Sequence, residues 1–192
     1  MEIKNLIKKN RSYRRFDHAF AVSSAQLAEL VELTRYTASA RNMQPLRYLP
    51  VTGKQATDRV FPLLAWAGYL PDWPGPAENE RPAAYIVVCK ESALADGHTL
   101  FDAGIATQTI LLGAVEMGLG GCIIGAVNKS RLKEVTGLSD RYEILYVIAL
   151  GKPAEQVVID DLSGNGSVKY WRDEKQVHHV PKRKLNDLII EI

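Results

Sequence analysis

The sequence predicts an α+β fold formed by a single domain over residues 1–192. Three apolar runs have the length and composition of buried strands, and they cover residues 84–90, 121–127 and 143–150. A long segment with few charges lies between the first two runs, and its apolar residues recur at helical spacing. Strands and helices do not alternate regularly along the chain, so the pattern favours an α+β arrangement over a doubly wound parallel sheet.

Length and charge exclude several classes of function. The chain has 192 residues, which suffice for one domain with a full core, and 46% of them are hydrophobic. Its formal net charge of +2 argues against a general nucleic-acid surface, because such a surface needs a concentrated positive excess. The first residues, MEIKNLIKKNR, lack the long apolar run of a secretory signal.

The cysteines and the central apolar segment indicate the cellular environment. Cys89 and Cys122 both lie in apolar runs, which favours buried thiols in a reducing cytoplasm over a disulfide. Gln108, Glu116 and several threonines interrupt the central segment, so its pattern does not predict a membrane-spanning helix. We therefore expect a cytoplasmic protein that binds neither nucleic acid nor membrane.

The first half of the chain carries clear helix and turn signals. Ser23 followed by Gln26 forms a capping box, which predicts that a helix begins there. Residues 68–82 are rich in proline, and a loop of this length in a compact domain is often a lid or a binding loop. The elements predicted before residue 90 are, in order, a helix from Ile3 to near Asn10, the capped helix, a strand around 48–51, a helix over 54–67 bent or broken at Pro62, the proline-rich loop and the strand over 84–90.

The segment 99–119 is predicted to be the central helix of the fold. Thr99 and Asp102 resemble a capping box at its start, and Gly118 marks its end. Its apolar residues extend around the cylinder, so the helix should be buried on most sides. Small residues along it would let another helix approach closely. That neighbour is either its own copy in a second subunit or part of a monomer core, and composition favours neither.

The second half of the chain combines a regular part with an unusual tail. After the strand over 121–127, Asn128 or Ser130 could cap a short helix that Gly137 ends, and the strand over 143–150 follows. The tail from Ser167 onward is mixed in character. It finishes on apolar residues that we expect to be buried, for instance against a partner subunit: Leu188, Ile189, Ile190 and Ile192.

Two basic clusters are candidates for binding a phosphate. Arg11, Ser12 and Arg14 present two guanidinium groups and a hydroxyl just after the first helix, and arginine forks bind phosphate bidentately. A solvated basic turn is the alternative interpretation of this cluster. The tail contributes a second cluster, which could equally be a surface charge run: Lys182, Arg183 and Lys184.

Other motifs carry weaker signals. Asn42 and Gln44 would share a face of an extended segment, and their carboxamides suit a heterocycle with N–H and C=O edges, although a helix exit followed by a turn explains them as well. The glycines at 118–121 precede a strand, which is the reverse of a dinucleotide-binding order. His178 and His179 would face opposite sides of an extended chain, so we predict no metal site there.

Taken together, four segments resemble the FMN-dependent nitroreductase family. They are RSYRRF near the N-terminus, ASARNMQP after the second helix, DAGIATQTILLGAVEMGLGGCIIG in the middle and PKRKL near the C-terminus. The resemblance implies a central, mostly antiparallel sheet flanked by helices in a domain-swapped homodimer. Its long central helix would lie at the interface, and a C-terminal segment of about 165–192 would reach across to the partner subunit.

The resemblance also implies which residues would bind FMN at the dimer interface. One group would hold the phosphate and ribityl chain, a second would reach the flavin from the other subunit, and a third would offer backbone groups near flavin N5. These groups are Arg11, Ser12, Arg14, Lys182 and Arg183 (or Lys184 in its place), then Ser39, Ala40, Asn42 and Gln44, and finally Ile124 and Gly125.

The implied reaction is a ping-pong hydride transfer in which the flavin, and no protein side chain, carries the chemistry. NADH or NADPH would reduce the flavin and leave, and a nitroaromatic, a quinone or a similar small-molecule acceptor would then occupy the same pocket. We place Trp66, Tyr69 and Trp73 in the wall over the flavin face, although ordinary loop packing also explains them. This chain departs from the family pattern at Asn10, where the family has arginine, at Ala38, where it has proline, and at Ile124, where some members have an acidic residue.

Three rival functions remain open on the sequence. The first is a flavin-binding dimer that stores or senses flavin without turnover. The second is a related FMN enzyme that catalyses dehalogenation, dehydrogenation or flavin breakdown. The third is a phosphate-ligand protein without flavin, which would use the arginines and leave Asn42 and Gln44 idle.

Overall fold

The central sheet has four antiparallel strands, and it confirms the predicted α+β class. The strands are β1 (Leu46–Thr52), β2 (Ala84–Glu91), β3 (Gly120–Ile124) and β4 (Tyr142–Gly151), in the spatial order β1-β2-β4-β3. This computed structural model describes residues 2–162 and 166–190. Both the predicted start of the C-terminal segment at residue 165 and the predicted burial of Ile192 lie outside the described residues.

Five α-helices in the described part of the chain flank this sheet. They are α1 (Ile3–Lys9), α2 (Ser24–Glu32), α3 (Lys54–Val60), α4 (Thr99–Glu116) and α5 (Lys129–Thr136). Their ends follow local chemistry: the predicted capping box of Ser23 and Gln26 begins α2, and the side chain of Asn128 accepts from the Arg131 N–H to begin α5. Helix α3 is shorter than predicted, because Pro62 lies in a 3₁₀ turn over Phe61–Leu63 that follows it.

The core lies on both faces of the sheet, which is why the strand runs are almost continuously apolar. Along β2, Ile86 and Val88 pack with residues of α2 and α4, whereas Tyr85 and Val87 pack with residues of α3 and α5. All four of these side chains have no exposed surface. A strand buried on both faces cannot alternate apolar and polar residues.

Helix α4 differs from its prediction in two ways. Leu100 and Phe101 are each 68% exposed, so one face of the helix lies open in the single chain although its other sides are buried. The predicted capping box is wrong, because His98 is the N-cap residue and makes no side-chain cap. The Asp102 carboxylate instead accepts from the Ser39 hydroxyl and from the Ala40 N–H at 3.0 Å.

A second, smaller sheet follows the first, and the sequence did not predict it. Strand β7 (His178–Lys182) lies in its middle, parallel to β5 (Val157–Asp161) and antiparallel to β6 (Trp171–Arg172). This arrangement brings the tail back toward the N-terminal segment. The chain end beyond it keeps large exposed apolar residues, so the described tail is not buried within its own chain: Leu185, Leu188, Ile189 and Ile190.

A Gly121→Ala substitution is expected to lower the free energy of unfolding by about 1–3 kcal/mol, because overpacking a tight core strains it. A Cβ at Gly121 would lie 2.6 Å from the carbonyl oxygen of Ala149 and 2.8 Å from Leu111. Urea denaturation monitored by circular dichroism measures the change. Gly68→Ala is the control, since a Cβ there meets nothing within 4 Å. Equal stability of the two variants would contradict this packing argument.

Candidate functional site

The N-terminal basic segment is anchored to both sheets. The Tyr13 N–H donates to the carbonyl of Gly121 at 3.0 Å, and Ser12 forms a parallel bridge with the same glycine. The N–H groups of Arg14 and Arg15 both donate to the Glu155 carboxylate, at 3.2 Å from Arg15. The backbone between α1 and Phe16 is therefore fixed by hydrogen bonds, and its side chains project from a defined position.

A cavity of about 330 Å³ joins the two basic clusters. Arg11, Ser12 and Arg14 line it from the N-terminal segment, and Lys182 lines it from the end of β7. We call it the basic cavity. Its other lining residues come from α4, β3 and the smaller sheet: Asn10, Gln108, Leu111, Gly121, Ile123, Val157, Tyr170, His178 and Val180.

The charges of the basic cavity suit an anion. Two arginines and a lysine line it, and none of the described lining residues is acidic. The Nε of Arg11 is buried and has no hydrogen-bond partner among the described residues, so a donor is left for a ligand. A phosphate monoester carries nearly two negative charges at pH 7 and three acceptor oxygens, which these donors can satisfy.

His178 and Tyr170 also line the basic cavity, and sequence reasoning did not select either of them for it. The His178 side chain is fully buried, with Nε2 3.2 Å from a guanidinium nitrogen of Arg14. The Tyr170 ring lies 5.1 Å from the His178 ring and 4.8 Å from the Arg14 guanidinium carbon. His179 faces the other way and contacts Asp160 at 2.8 Å, as alternation along an extended chain predicts. The adjacent histidines were a signal, but only the pairing of β7 shows which one faces inward.

The ligand-free protein is expected to lose stability in mild acid because of His178. Burial, with Arg14, Arg172, His179 and Arg15 nearby, lowers the pKa of His178 to about 4, against about 6.5 in an unfolded chain. The folded state then binds fewer protons than the unfolded state between these values, so this contribution to stability is complete above pH 6.5 and is lost as pH falls toward 4.

Between pH 7.5 and pH 5 the loss amounts to about 2 kcal/mol of unfolding free energy. Urea denaturation at both pH values measures it, and a His178→Gln variant should lack this component. His18→Gln removes an exposed histidine and should keep the wild-type pH dependence. An identical pH dependence in the wild type and His178→Gln would contradict the assignment.

The second predicted group lies around another cavity. Ser39, Asn42 and Gln44 line a space of about 440 Å³ between the end of α2 and β1, and Asp102 closes it. This cavity and the basic cavity have no lining residue in common among the described residues. Within one chain the two predicted groups of cofactor-binding residues are therefore not brought together.

The loop that carries Asn42 and Gln44 is held in an unusual backbone conformation. Arg41, Asn42 and Gln44 all have positive φ angles, of 51°, 55° and 48°, and residues other than glycine rarely adopt them. Asp102 holds the start of the loop through Ser39 and Ala40, and the Ser39 hydroxyl accepts from the Gln44 N–H at 2.9 Å. The Ser39 hydroxyl is thus already engaged in hydrogen bonds that hold the loop. Residues in strained backbone conformations of this kind are concentrated at functional sites.

The carboxamides of this loop stay available. Asn42 and Gln44 are both exposed, and the Gln44 amide donates to the Asn42 side chain at 3.1 Å. Both groups keep further donor or acceptor capacity for a ligand. Asp102 is the positioning residue that sequence reasoning missed, because its spacing from Thr99 indicated a helix cap.

The remaining predicted residues differ in their placement. Ile124 ends β3 with its side chain in the core, and Gly125 follows it in an exposed position. Arg183 lines a different cavity, together with Lys182 and Leu188. Lys184 lies 4.0 Å from the Asp161 carboxylate. Of the three basic tail residues, only Lys182 is among the described lining residues of the basic cavity.

The three aromatic residues predicted over the flavin face lie in three different environments. Trp66 is only 9% exposed, since it packs in the core against Phe61 at 5.9 Å between ring centroids. The Trp73 ring lies against the guanidinium carbon of Arg172 at 4.1 Å. Tyr69 is half exposed, and its ring lies 4.9 Å from Tyr170 of the basic cavity. Of the three, Tyr69 is the one that contacts a lining residue of that cavity.

The described residues contain neither a candidate membrane span nor a candidate metal centre. No helix in the part of the chain that the structure describes is long and apolar enough to cross a membrane. No group of three or more histidine, cysteine or acidic residues in residues 2–162 and 166–190 is arranged to hold a metal ion.

Comparison with known proteins agrees with the fold and covers most of the chain. The oxygen-insensitive NADPH nitroreductase of Helicobacter acinonychis (strain Sheeba) is 27% identical, over 80% of this chain and 88% of that protein. A nitroreductase family protein from Clostridium novyi NT has a similar solved structure, with a TM-score of 0.65 and 23% identity over 80% of this chain and 87% of that one. The FMN-dependent nitroreductase of Clostridium difficile R20291 gives a TM-score of 0.64 at 19% identity, over 80% and 89% of the two chains.

The two solved structures show that the arrangement of the sheet and helices is shared. The sequence profile of the nitroreductase family matches residues 7–152, which is well over half of the chain. This range includes the N-terminal basic segment, the loop held by Asp102 and all four strands of the central sheet. The chain therefore belongs to the nitroreductase family.

Proposed function

We propose that this protein is an FMN-dependent oxidoreductase that uses NADH or NADPH to reduce nitroaromatic, quinone or similar acceptors. The observation that carries the proposal is the convergence of Arg11, Ser12, Arg14 and Lys182 on one acid-free cavity. These residues are distant in sequence, and their donors match a phosphate. Relatives described as an NADPH nitroreductase and an FMN-dependent nitroreductase support the same assignment.

The basic cavity fits the phosphate end of FMN. Arg11 and Arg14 would supply guanidinium forks, Lys182 a point charge and Ser12 a hydroxyl donor. Arg14 is already oriented, because its backbone N–H is held by Glu155 and its guanidinium lies over Tyr170. Gln108 on α4 and Gly121 on β3 line the same cavity and would lie beside the polyol chain.

A second subunit would supply the residues for the ring. Asn42 and Gln44 line a cavity separate from the basic cavity of their own chain, so both groups can act on one cofactor only if the loop comes from a partner. Large apolar side chains are exposed where such a partner would pack. They lie on α1, α4 and β3 and in the tail: Ile3, Ile7, Leu100, Phe101, Ile105, Ile123, Leu188 and Ile190. Exposed apolar side chains in this number favour a protein–protein interface.

When bound, FMN would supply reversible hydride transfer, which no side chain of this protein can perform. The protein's own residues would hold the cofactor, exclude water from the ring and favour negative charge on it through nearby cations. Electron donor and acceptor would occupy the same pocket in turn, as the proposed ping-pong order requires. In the partner's loop, Asn42 and Gln44 would orient the ring edge through their carboxamides.

Purification and a turnover assay test this proposal. The protein should be yellow, release FMN on denaturation and run as a dimer in size-exclusion chromatography with light scattering. It should oxidise NADH or NADPH when menadione or a nitroaromatic is added, and double-reciprocal plots at several acceptor concentrations should be parallel. Bound FMN without turnover would point to a storage or sensing dimer or to another FMN reaction. Failure to bind FMN at all would overturn the proposal.

A further inference from the structure

The His178 imidazole is in an unusual position for a group that can titrate. Its side chain has no exposed surface, and it lines a cavity whose charged lining residues are all cationic. Its Nε2 lies 3.2 Å from Arg14, while its Nδ1 is buried and has no hydrogen-bond partner. Its backbone N–H donates to the carbonyl of Gln156 at 2.9 Å, so β7 fixes the position of the residue.

The contact with Arg14 determines the protonation state of the free protein. A guanidinium group has donors only, so the hydrogen bond requires a lone pair on Nε2 of His178. The imidazole is then neutral and carries its proton on Nδ1. The surrounding charges agree with a neutral ring, because burial and the neighbouring cations lower the pKa of His178 to about 4.

Every element that packs around His178 contributes to this electrostatic environment. Cationic groups face it from the N-terminal segment, β6 and the far side of the cavity: Arg14, Arg15, Arg172, Arg11 and Lys182. The other titratable groups are Tyr170, His179 and Glu155. Glu155 is already paired with Arg172 at 3.0 Å and accepts from two backbone N–H groups, so it does not offset the remaining cations.

We infer that His178 takes up one proton from solvent when the phosphate of FMN enters the basic cavity, an inference that rests on the proposed function. The phosphate draws the Arg14 guanidinium to its own oxygens and frees the Nε2 lone pair. A lone pair facing a dianion is repulsive, whereas an Nε2–H donates to it. The proton comes from the buffer, the phosphate stays dianionic, and His178 becomes an imidazolium that recognises the phosphate.

The alternative is a change of tautomer, in which the existing proton moves from Nδ1 to Nε2. The Nδ1 atom is buried without a hydrogen-bond partner among the described residues in both routes, so its desolvation does not separate them. Protonation is favoured because it adds a positive charge beside the dianion, whereas the tautomer change leaves the ring neutral. Because the two routes differ by one bound proton, a proton count distinguishes them.

Isothermal titration calorimetry of FMN into the cofactor-free dimer measures this count. Titrations at pH 6.5 in two buffers of different ionisation enthalpy should show that the wild type takes up about half a proton or more beyond His178→Gln. The comparison with the variant removes the proton that FMN itself releases, since its phosphate has a second pKa of about 6. Riboflavin, which lacks the phosphate, should give the same count in both proteins. His18→Gln, at an exposed histidine, should behave as wild type.

Affinity should follow the same linkage. The dissociation constant for FMN in the wild type should fall, relative to His178→Gln, by up to about tenfold for each pH unit lowered between pH 7.5 and 5.5. Histidine side-chain chemical shifts of the wild type, read with and without FMN, give a second measurement if the variant does not fold. They should show His178 neutral in the free protein and protonated in the complex at pH 6.

The outcomes separate this inference from the proposed function. FMN binding with equal proton counts in the wild type and variant, or with His178 neutral in the complex, overturns the inference and leaves the function intact. Equal proton uptake with riboflavin also overturns it, because the phosphate would then not be the cause. Failure of the wild type to bind FMN overturns both.

Discussion

An Arg11→Ala/Arg14→Ala variant is expected to purify almost colourless, with little FMN. Each arginine would lose charge-assisted hydrogen bonds to the phosphate, which contribute about 1.5–3 kcal/mol apiece. The combined loss of about 3–6 kcal/mol corresponds to a dissociation constant about 100- to 20,000-fold higher. Titration of the cofactor-free variant with FMN, followed by quenching of flavin fluorescence, measures this change.

The matched control removes the same two charges elsewhere. Lys129 and Arg131 are exposed on α5, so Lys129→Ala/Arg131→Ala lowers the net charge equally without touching the basic cavity. Its affinity for FMN should stay within about threefold of wild type, since distant exposed charges are screened. Riboflavin should bind the arginine variant and the wild type alike. Full retention of FMN by the arginine variant would remove the basic cavity as the phosphate site.

A Glu155→Gln substitution is expected to cause a large loss of stability. The Glu155 and Arg172 side chains are 2% and 7% exposed and form an ion pair at 3.0 Å. Neutralising one partner leaves the other charge buried and uncompensated, which lowers the free energy of unfolding by about 3–5 kcal/mol. In a chain of this size the melting temperature should fall by roughly 6–20 °C. Differential scanning calorimetry measures the change.

The control for this buried ion pair is an exposed ion pair that also joins an arginine and a glutamate. Arg131 and Glu134 form an ion pair on the surface of α5, with side chains 60% and 61% exposed. Glu134→Gln should change stability by about 0–1 kcal/mol. Adding Arg172→Met to Glu155→Gln should recover part of the lost stability, because it removes the stranded charge. Equal melting temperatures for Glu155→Gln and Glu134→Gln would contradict a structural role for the buried pair.

Most signals that act over a few residues were predicted correctly, although the capping box at Thr99 and Asp102 was not. The capping box at Ser23, the Asn128 cap and the stop at Gly137 depend on groups within one helical turn, so they can be read directly from the sequence. The three buried strands were also visible as apolar runs, because a strand covered on both faces needs no polar residue. Their antiparallel pairing confirms the α+β class.

Features that depend on distant pairing could not be predicted from the residues alone. The smaller sheet contains short strands with charged and polar residues, such as β6 with two residues, and these carry no periodic signal. Asp102 was assigned to a cap because local spacing cannot show that Ser39 and Ala40 lie beside it. Likewise, the inward position of His178 depends on its register with Val157 in the neighbouring strand.

The basic cavity is assembled from segments that are far apart in the sequence, and this affects biosynthesis. Arg14 and Lys182 line the same cavity although 168 positions separate them in the chain (182 minus 14). During translation the N-terminal segment leaves the ribosome first, and the smaller sheet can form only after its three strands have been synthesised. The cavity therefore cannot be complete until Lys182 has been synthesised, and a truncation between residues 152 and 178 would abolish it while keeping all the residues of the four-stranded sheet.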